Sequence, residues 1–300
     1  MRLSSFQRLA IWTTATTYLL ILVGGLVRAS GAGLGCPDWP RCFGSWIPPS
    51  SAADLPPQFD PSLFNPALMW TEYLNRLLGV TVGFLIFATA ISAWRHHRRD
   101  PRILWTTIAA FLLVGYEGWL GGRVVAHQLA PWIVTAHLIV AIVIVQLLLY
   151  ATFTAGEAGE KRATSATGAT WAATALIALT LMQAGIGTQV RGDIDDAVAA
   201  GIARVSALAT VGRMDFLHRD LAFIVLIVSI LLVLWLWAGR SPLIRWGFVV
   251  LALVVAQAAL GIFMAYGSLV PPAQVGHLAI ASLLLGAETV LWLLSWRQRT

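Results

Sequence analysis

The sequence predicts an all-α integral membrane protein with eight transmembrane helices, arranged as two tandem four-helix bundles related by a pseudo-twofold axis along the membrane normal. Three observations support this fold class. Of the 300 residues, 58% are apolar and 11% are charged, which excludes an ordinary soluble domain. Eight apolar stretches are long enough to cross a hydrocarbon core of about 30 Å. The second half of the chain repeats the first.

The eight predicted spans are runs of roughly 20 predominantly apolar residues. The first one follows two arginines, as the core of a signal peptide does. Its roughly 18 apolar residues exceed the usual signal-peptide core, so we expect it to be retained. In chain order the spans are 9–28, 70–94, 103–122, 131–154, 168–190, 214–238, 244–266 and 272–296.

Basic residues mark one side of these spans. Because short loops rich in Lys and Arg stay in the cytoplasm, both termini are predicted to be cytoplasmic. The same pattern accounts for the net charge of +6 without a nucleic-acid partner, since no basic run is long enough for one. The residues on the cytoplasmic side are Arg2, Arg8, Arg95, Arg98, Arg99, Arg102, Lys161, Arg162, Arg240, Arg245, Arg297 and Arg299.

Two predicted outer segments, 29–69 and 191–213, are longer than turns, and loops of such length are commonly functional. The first contains both cysteines, Cys36 and Cys42. Outside the cytoplasm such a close pair can form a disulfide, and two cysteines allow one intramolecular pairing. Two interpretations stay open: a structural cross-link in a loop without a core, or a redox pair accessible to thiol exchange.

An internal duplication divides the chain into predicted domains 1–155 and 166–300. The same offset separates Gly121 from Gly261 and His137 from His277, and similar residues surround both pairs. Each half contains four spans, so the halves share one orientation and are related by an axis along the membrane normal. Four-helix bundles hold cofactors between facing helices.

Four equivalent positions lie near the outer ends of inward-running spans: Asn75, His137, His218 and His277. Each is four to six residues into its span, roughly 6 to 9 Å below the outer boundary. His218 and His277 are therefore expected to face each other in the second half. Two neutral imidazoles at one depth suit bis-His ligation of a heme iron, whereas a hydrogen bond between helices is the alternative for a single membrane histidine.

The first half differs at one decisive position, because Asn75 stands where His218 stands in the second half. An amide is a poor iron ligand, so a heme in the first half would have one strong axial ligand, His137. One-sided ligation leaves a position open for oxygen or peroxide chemistry, whereas bis-His ligation suits electron transfer. The two halves are therefore predicted to be functionally unequal.

Charged residues near these positions are further candidates. Glu72 shares a helix face with Asn75 and is a functional candidate as an intramembrane acid, with an ion pair to Arg76 as the alternative. Glu117 is expected to pair with Arg123 or to relay protons. Four arginines are candidates for bidentate binding of heme propionates, with snorkelling to the interface as the alternative: Arg28, Arg76, Arg191 and Arg219.

Taken together, these motifs resemble the heme A synthase family over essentially all eight spans. The most specific is the exit from the first span, residues 24–42, which reads GGLVRASGAGLGCPDWPRC. The others are Glu72 with Arg76, Thr135-Ala136-His137-Leu138, His218-Arg219 and Gly276-His277-Leu278.

The resemblance implies an oxidoreductase of a bacterial-type plasma membrane. It would oxidise a ring methyl of heme O to the formyl group of heme A by successive hydroxylations, for cytochrome c oxidase. The resemblance places a heme b on His218 and His277. It places the substrate heme in the first half, with His137 as a ligand and Glu72 as an acid essential to the chemistry.

The resemblance also implies partners: heme O synthase and cytochrome oxidase assembly factors. The pair Cys36 and Cys42 is linked in that family to redox exchange or substrate transfer, which suggests a thiol–disulfide oxidoreductase as another partner. A homo-oligomer is an open alternative.

Two features depart from the family pattern. Asn75 replaces the first of four ligand histidines, and residues 191–213 lack a second cysteine pair that many members have. The alternative function is therefore a non-catalytic membrane heme carrier or an electron-transfer heme protein.

Overall fold

The computed structural model describes residues 3–156 and 167–297, and within these ranges eight helices are long and apolar enough to cross a membrane. This confirms the predicted all-helical membrane class. The long helices are α1 (Ser5–Ala29), α2 (Pro66–His97), α3 (Pro101–Ala126), α4 (Pro131–Thr154), α5 (Thr167–Ala199), α7 (Arg213–Ala238), α8 (Ile244–Tyr266) and α9 (Pro271–Arg297), and a short helix α6 (Arg204–Ala207) follows α5. Of the predicted cytoplasmic residues, Arg2, Lys161, Arg162 and Arg299 lie outside the described ranges.

Local sequence signals set several helix starts. α2, α3, α4 and α9 begin at a proline, whose fixed φ and missing N–H suit the first helical position. Just before α2, the Asn65 side chain accepts hydrogen bonds from the backbone N–H groups of Ala67 and Leu68. Asp100 caps α3 in the same way by accepting from Arg102 N. Such caps satisfy N–H groups that have no partner within the helix.

The chain divides after Leu148 into two compact units. In the first unit all four helices contribute to one apolar core: Leu20, Val82, Ile86, Ala110, Ile144 and Leu148. In the second unit a core is likewise formed by α5, α7, α8 and α9, with members such as Leu176, Leu232, Val250 and Leu291. The pseudo-twofold relation between the units stays a prediction.

Buried polar side chains join neighbouring helices inside each unit. The hydroxyls of Thr13 in α1 and Thr89 in α2 lie 2.9 Å apart. In the second unit, Thr180 of α5 donates to Glu288 Oε1 of α9 at 2.9 Å. Hydrogen bonds of this kind stabilise helix association where lipid gives no hydrophobic driving force.

The prediction of an outer loop over residues 191–213 is wrong up to Ala199, because α5 continues to that residue. Arg191 donates to Asp195 Oδ2 at 3.0 Å, one helical turn further on, which is a favourable helical spacing. Apolar residues on this extension pack against the segment that follows, and their burial stabilises the longer helix. The buried members of this cluster are Val190, Ile194 and Ala207.

The segment between α1 and α2 is a loop, as predicted, but it has a small core of its own. Cys36, Cys42, Phe43 and Met69 are completely buried, with Phe59 and Phe64 among the side chains packed against them. The indole of Trp39 packs so closely on α3 that a Cβ at Gly122 would lie 2.9 Å from it. The loop is therefore docked on the first unit.

Gly35 is the closest backbone approach between this loop and α2, and it generates a testable prediction. A Cβ at Gly35 would overlap the Leu68 carbonyl and lie 2.8 Å from Met69 N. Because backbone cannot move aside as a side chain can, Gly35→Ala is expected to destabilise the protein by about 1–3 kcal/mol. Thermal or denaturant unfolding in detergent measures this loss. Gly79→Ala in α2 is the control, since its Cβ would meet nothing within 4 Å; equal stability of the Gly35→Ala variant and the wild type would contradict the docking.

Candidate functional site

His218 of α7 and His277 of α9 face each other in the second unit. Their ring centroids are 6.4 Å apart and their planes are inclined by 60°. A metal ion bound by two imidazole nitrogens at the usual distance of about 2 Å separates the ring centroids by roughly 6 Å. The pair therefore has the spacing that two axial ligands of one iron require. The sequence predicted this facing from depth alone.

Glycines on neighbouring helices make room for the rings. A Cβ at Gly187 of α5 would lie 3.1 Å from His218 Cε1, and one at Gly261 of α8 would lie 3.5 Å from His277 Cε1. The His218 ring is therefore packed between α7 and α5, and the His277 ring between α9 and α8.

Buried polar atoms without a hydrogen-bond partner concentrate around these positions in the described residues. Gln183 Nε2 donates to the His218 carbonyl at 3.1 Å, while its own oxygen has no partner. Unpaired buried groups are uncommon in folded proteins and point to a bound polar group or to water. Those near the histidine positions are Asn75 Oδ1, Glu117 Oε2, His137 Nδ1, Gln183 Oε1, His218 Nδ1, Gln257 Oε1 and His277 Nδ1.

In the first unit, His137 of α4 lies next to Glu117, an acid for which the sequence suggested a different partner. Its Nδ1 lies 3.1 Å from Glu117 Oε1 of α3. The predicted pairing of Glu117 with Arg123 is wrong, since Arg123 Nη2 lies 2.7 Å from His127 Nε2 instead. A sequence signal for the contact with His137 was available: helical spacing puts Glu117 on the same face as Gly121. A Cβ added at Gly121 would lie 3.5 Å from His137 Cε1.

Glu72 is buried and joins α2 to the cysteine loop. Its Oε2 accepts from Cys36 N at 2.8 Å, and its Oε1 pairs with Arg76 Nη2 at 2.5 Å. The ion pair weighed as an alternative from sequence is therefore present. Because Cys36 and Arg76 hold the two oxygens from different directions, Glu72 has one defined orientation.

Arg76 is the main tie between α2 and this loop. Its Nη1 donates to the carbonyls of Asp38 and Arg41, both at 2.8 Å. Its Nη2 donates to the Cys36 carbonyl at 3.2 Å as well as to Glu72. Both hydrogens on each Nη are thus used within the protein, and Nε remains for any further acceptor. Binding of a propionate by Arg76 stays a prediction.

The other three predicted arginines lie within long helices: Arg28 in α1, Arg191 in α5 and Arg219 in α7. Arg219 makes a two-point contact with Asp215, at 3.0 and 2.6 Å, and donates to the Tyr266 hydroxyl at 3.3 Å. Arg191 pairs with Asp195. Arg28 occupies the last turn of α1. Their binding of propionates likewise stays a prediction.

Cys36 and Cys42 form a disulfide, and both residues are completely buried. Burial under aromatic side chains restricts access of an exchanging thiolate. Of the two interpretations left open by the sequence, the structure therefore favours a cross-link that holds the loop and, through Cys36 N, the carboxyl group of Glu72.

Fold and site together define a multi-span helical membrane protein with paired histidines and acid–histidine contacts inside its spans. Residues 7–289 match the COX15-CtaA family, described as a cytochrome oxidase assembly protein. Because the match covers most of the chain, the protein belongs to the COX15-CtaA family.

Individual relatives carry the name heme A synthase. The chain is 35% identical to that of Geobacillus kaustophilus over 41% of this chain and 34% of the relative. It is 32% identical to that of Shewanella oneidensis over 46% of this chain and 42% of the relative, so each match spans less than half of the relative's length. It is 26% identical to that of Caulobacter vibrioides over 97% of this chain and 96% of the relative.

The buried disulfide leads to a prediction about thiol chemistry. In the folded protein, mild reductant followed by a maleimide is expected to leave Cys36 and Cys42 unlabelled, because both are inaccessible, and labelling should require unfolding. Replacing both by serine should cost about 2 kcal/mol of stability, as expected for a short closed loop. As a control, Ser50→Cys in that serine background places a thiol at an exposed loop position and should label in the folded state. Rapid labelling of the folded wild type would instead support a redox pair.

Proposed function

We propose that this protein oxidises a ring methyl of heme O to the formyl group of heme A, for delivery to cytochrome c oxidase. Family membership and the full-length relation to the Caulobacter heme A synthase support this activity. The observation that carries the proposal is the inequality of the two units. One presents two facing histidines, and the other presents one histidine supported by an acid.

In the second unit, residues 166–300 by the sequence boundaries, His218 and His277 would hold a heme b. The ring spacing supports this assignment. Such a bis-His heme supplies one-electron transfer when bound. The role of the protein is to fix both rings, which Gly187 and Gly261 do by allowing close packing.

In the first unit, residues 1–155, heme O would be the substrate and His137 its protein ligand. The His137 side chain is 40% exposed, so it is accessible to a large planar molecule. Asn75 cannot bind iron strongly, and its buried Oδ1 has no partner among the described residues. One side of the substrate iron would therefore stay open for the oxidant.

Glu72 would act in this unit as the acid–base group. It precedes Asn75 by one helical turn and shares its face. Each carboxylate oxygen has two lone pairs, so Glu72 could accept the proton released when a methyl C–H bond breaks and its electron pair passes to an oxidant, while Arg76 and Cys36 N hold the carboxylate in place. General-base help of this kind commonly contributes about 10²–10⁴-fold to the rate.

The remaining assignments extend the same proposal. We infer a pseudo-twofold arrangement of the two units along the membrane normal, in a bacterial-type plasma membrane with both termini cytoplasmic. Heme O synthase and oxidase assembly factors would be the partners that supply substrate and take product. The arginines proposed to bind propionates are Arg28, Arg191 and Arg219, with Arg76 through its free Nε.

A carrier or electron-transfer function is the second candidate, because Asn75 removes a ligand position in the first unit. In that case the protein would bind hemes without changing them. The two functions differ in one product, the formyl group of heme A.

The decisive assay is heme extraction and chromatography from cells that express this chain together with a heme O synthase. The expected result is heme A or its hydroxylated intermediate, reduced at least about tenfold in Glu72→Gln, because the amide cannot take up the proton. Unchanged heme O or heme b alone would contradict the oxidase and support the carrier, whereas normal heme A output from Glu72→Gln would contradict only the role of Glu72.

The heme b assignment is tested by spectroscopy of the purified protein. His218→Ala and His277→Ala are each expected to abolish the low-spin bis-His signal, because one axial ligand is lost. His127→Ala is the matched control, since this histidine contacts Arg123 and Trp132 in an outer turn. An unchanged low-spin signal in either ligand variant would refute the assignment.

A further inference from the structure

The contact between Glu117 and His137 has no counterpart at the second pair of histidines. Glu117 Oε1 lies 3.1 Å from His137 Nδ1, and the Glu117 side chain is only 12% exposed. The offset of the internal repeat places Gln257 where Glu117 stands, as far before His277 as Glu117 is before His137. Among the described residues, no acid lies at hydrogen-bond distance from the rings of His218 or His277. His137 of the first unit thus has a neighbouring carboxyl group, whereas, within the described ranges, His218 and His277 of the second unit do not.

α3 holds the His137 ring at two neighbouring atoms. Glu117 and Gly121 are one turn apart and share a helix face. Glu117 lies against Nδ1, while a Cβ at Gly121 would lie 3.5 Å from Cε1. Because Nδ1 lies beside the carboxyl group at 3.1 Å, Nε2 is the ring nitrogen left to coordinate a metal. A Cβ at position 121 would be in ordinary van der Waals contact with the ring, so this part of α3 lies directly against it.

We propose that Glu117 is a positioning residue that accepts a hydrogen bond from His137 Nδ1, fixes its Nε2 toward the substrate iron and strengthens its electron donation. The inference rests on the proposed ligation of heme O by His137. A carboxyl group behind a metal-bound histidine fixes the tautomer and raises the basicity of the ligand. A neutral backbone carbonyl such as that of Gln257, which the His277 ring contacts, does so less because it carries no full charge.

This role agrees with the difference at Asn75. A strongly donating ligand on one side and a non-ligand on the other side favour oxidative chemistry at the iron, whereas two equivalent neutral histidines favour electron transfer. Two differences between the halves, Asn75 for His218 and Glu117 for Gln257, therefore act in the same direction.

Glu117→Gln separates electron donation from mere packing. Glutamine keeps the size and an accepting oxygen but removes the charge. In the full-length protein purified with heme b and loaded with heme O, the heme transition that His137→Ala eliminates is expected to shift to a higher midpoint potential. Its iron–histidine stretching band should move to lower frequency, and heme O binding should weaken about tenfold.

Glu288→Gln is the matched control, because it makes the same change at another buried acid, which contacts Thr180 instead of a histidine. It should leave the potential and the band at wild-type values. Wild-type values in Glu117→Gln would overturn the inference while leaving ligation by His137 intact. If His137→Ala eliminates no heme transition, the proposed ligation itself fails.

The low-spin signal of His218 and His277 reports whether Glu117→Gln is folded. If that signal is lost, Glu117→Asp replaces it, since aspartate keeps the charge on a side chain shorter by one methylene. Its band is expected below that of the wild type because the contact lengthens. A wild-type band in Glu117→Asp would overturn the inference.

Discussion

The energetic cost of a polar side chain inside a membrane is the constraint on which this structure depends. An acid or an unpaired amide among lipid tails is unfavourable unless another group of the protein meets it. The first unit satisfies this for Glu72 with Arg76 and Cys36 N. Glu117 Oε1 lies 3.1 Å from His137 Nδ1, while its Oε2 has no partner among the described residues. Each such contact also fixes the orientation of a side chain. The hydrogen-bond partners that buried polar groups need therefore arrange the residues of the site.

One consequence is that the cysteine loop and the candidate site of the first unit form one structure. The disulfide and its aromatic cover hold the loop, Arg76 ties three loop carbonyls to α2, and Cys36 N holds Glu72. A structural change in the loop would therefore alter the position of the Glu72 carboxyl group. The loop thereby supports the orientation of Glu72.

The two units differ by a few substitutions within one repeated sequence pattern. Glycines at equivalent positions accept the rings of His137 and His277 with the same 3.5 Å clearance. What differs are two residues at equivalent positions of the sequence repeat: Asn75 corresponds to His218, and Glu117 to Gln257. In the proposed function, these two differences favour oxidation in the first unit and electron transfer in the second.

The sequence by itself determined the eight spans, the internal repeat and the common depth of the histidines, because apolar length and the rise per residue fix all three. It misplaced the end of α5 and the partner of Glu117. Spans that are apolar on every face carry no periodicity to show which side meets which neighbour. Only the tertiary structure, which sets the rotation of each helix about its axis, decided that Glu117 meets His137 and that Arg76 holds the loop.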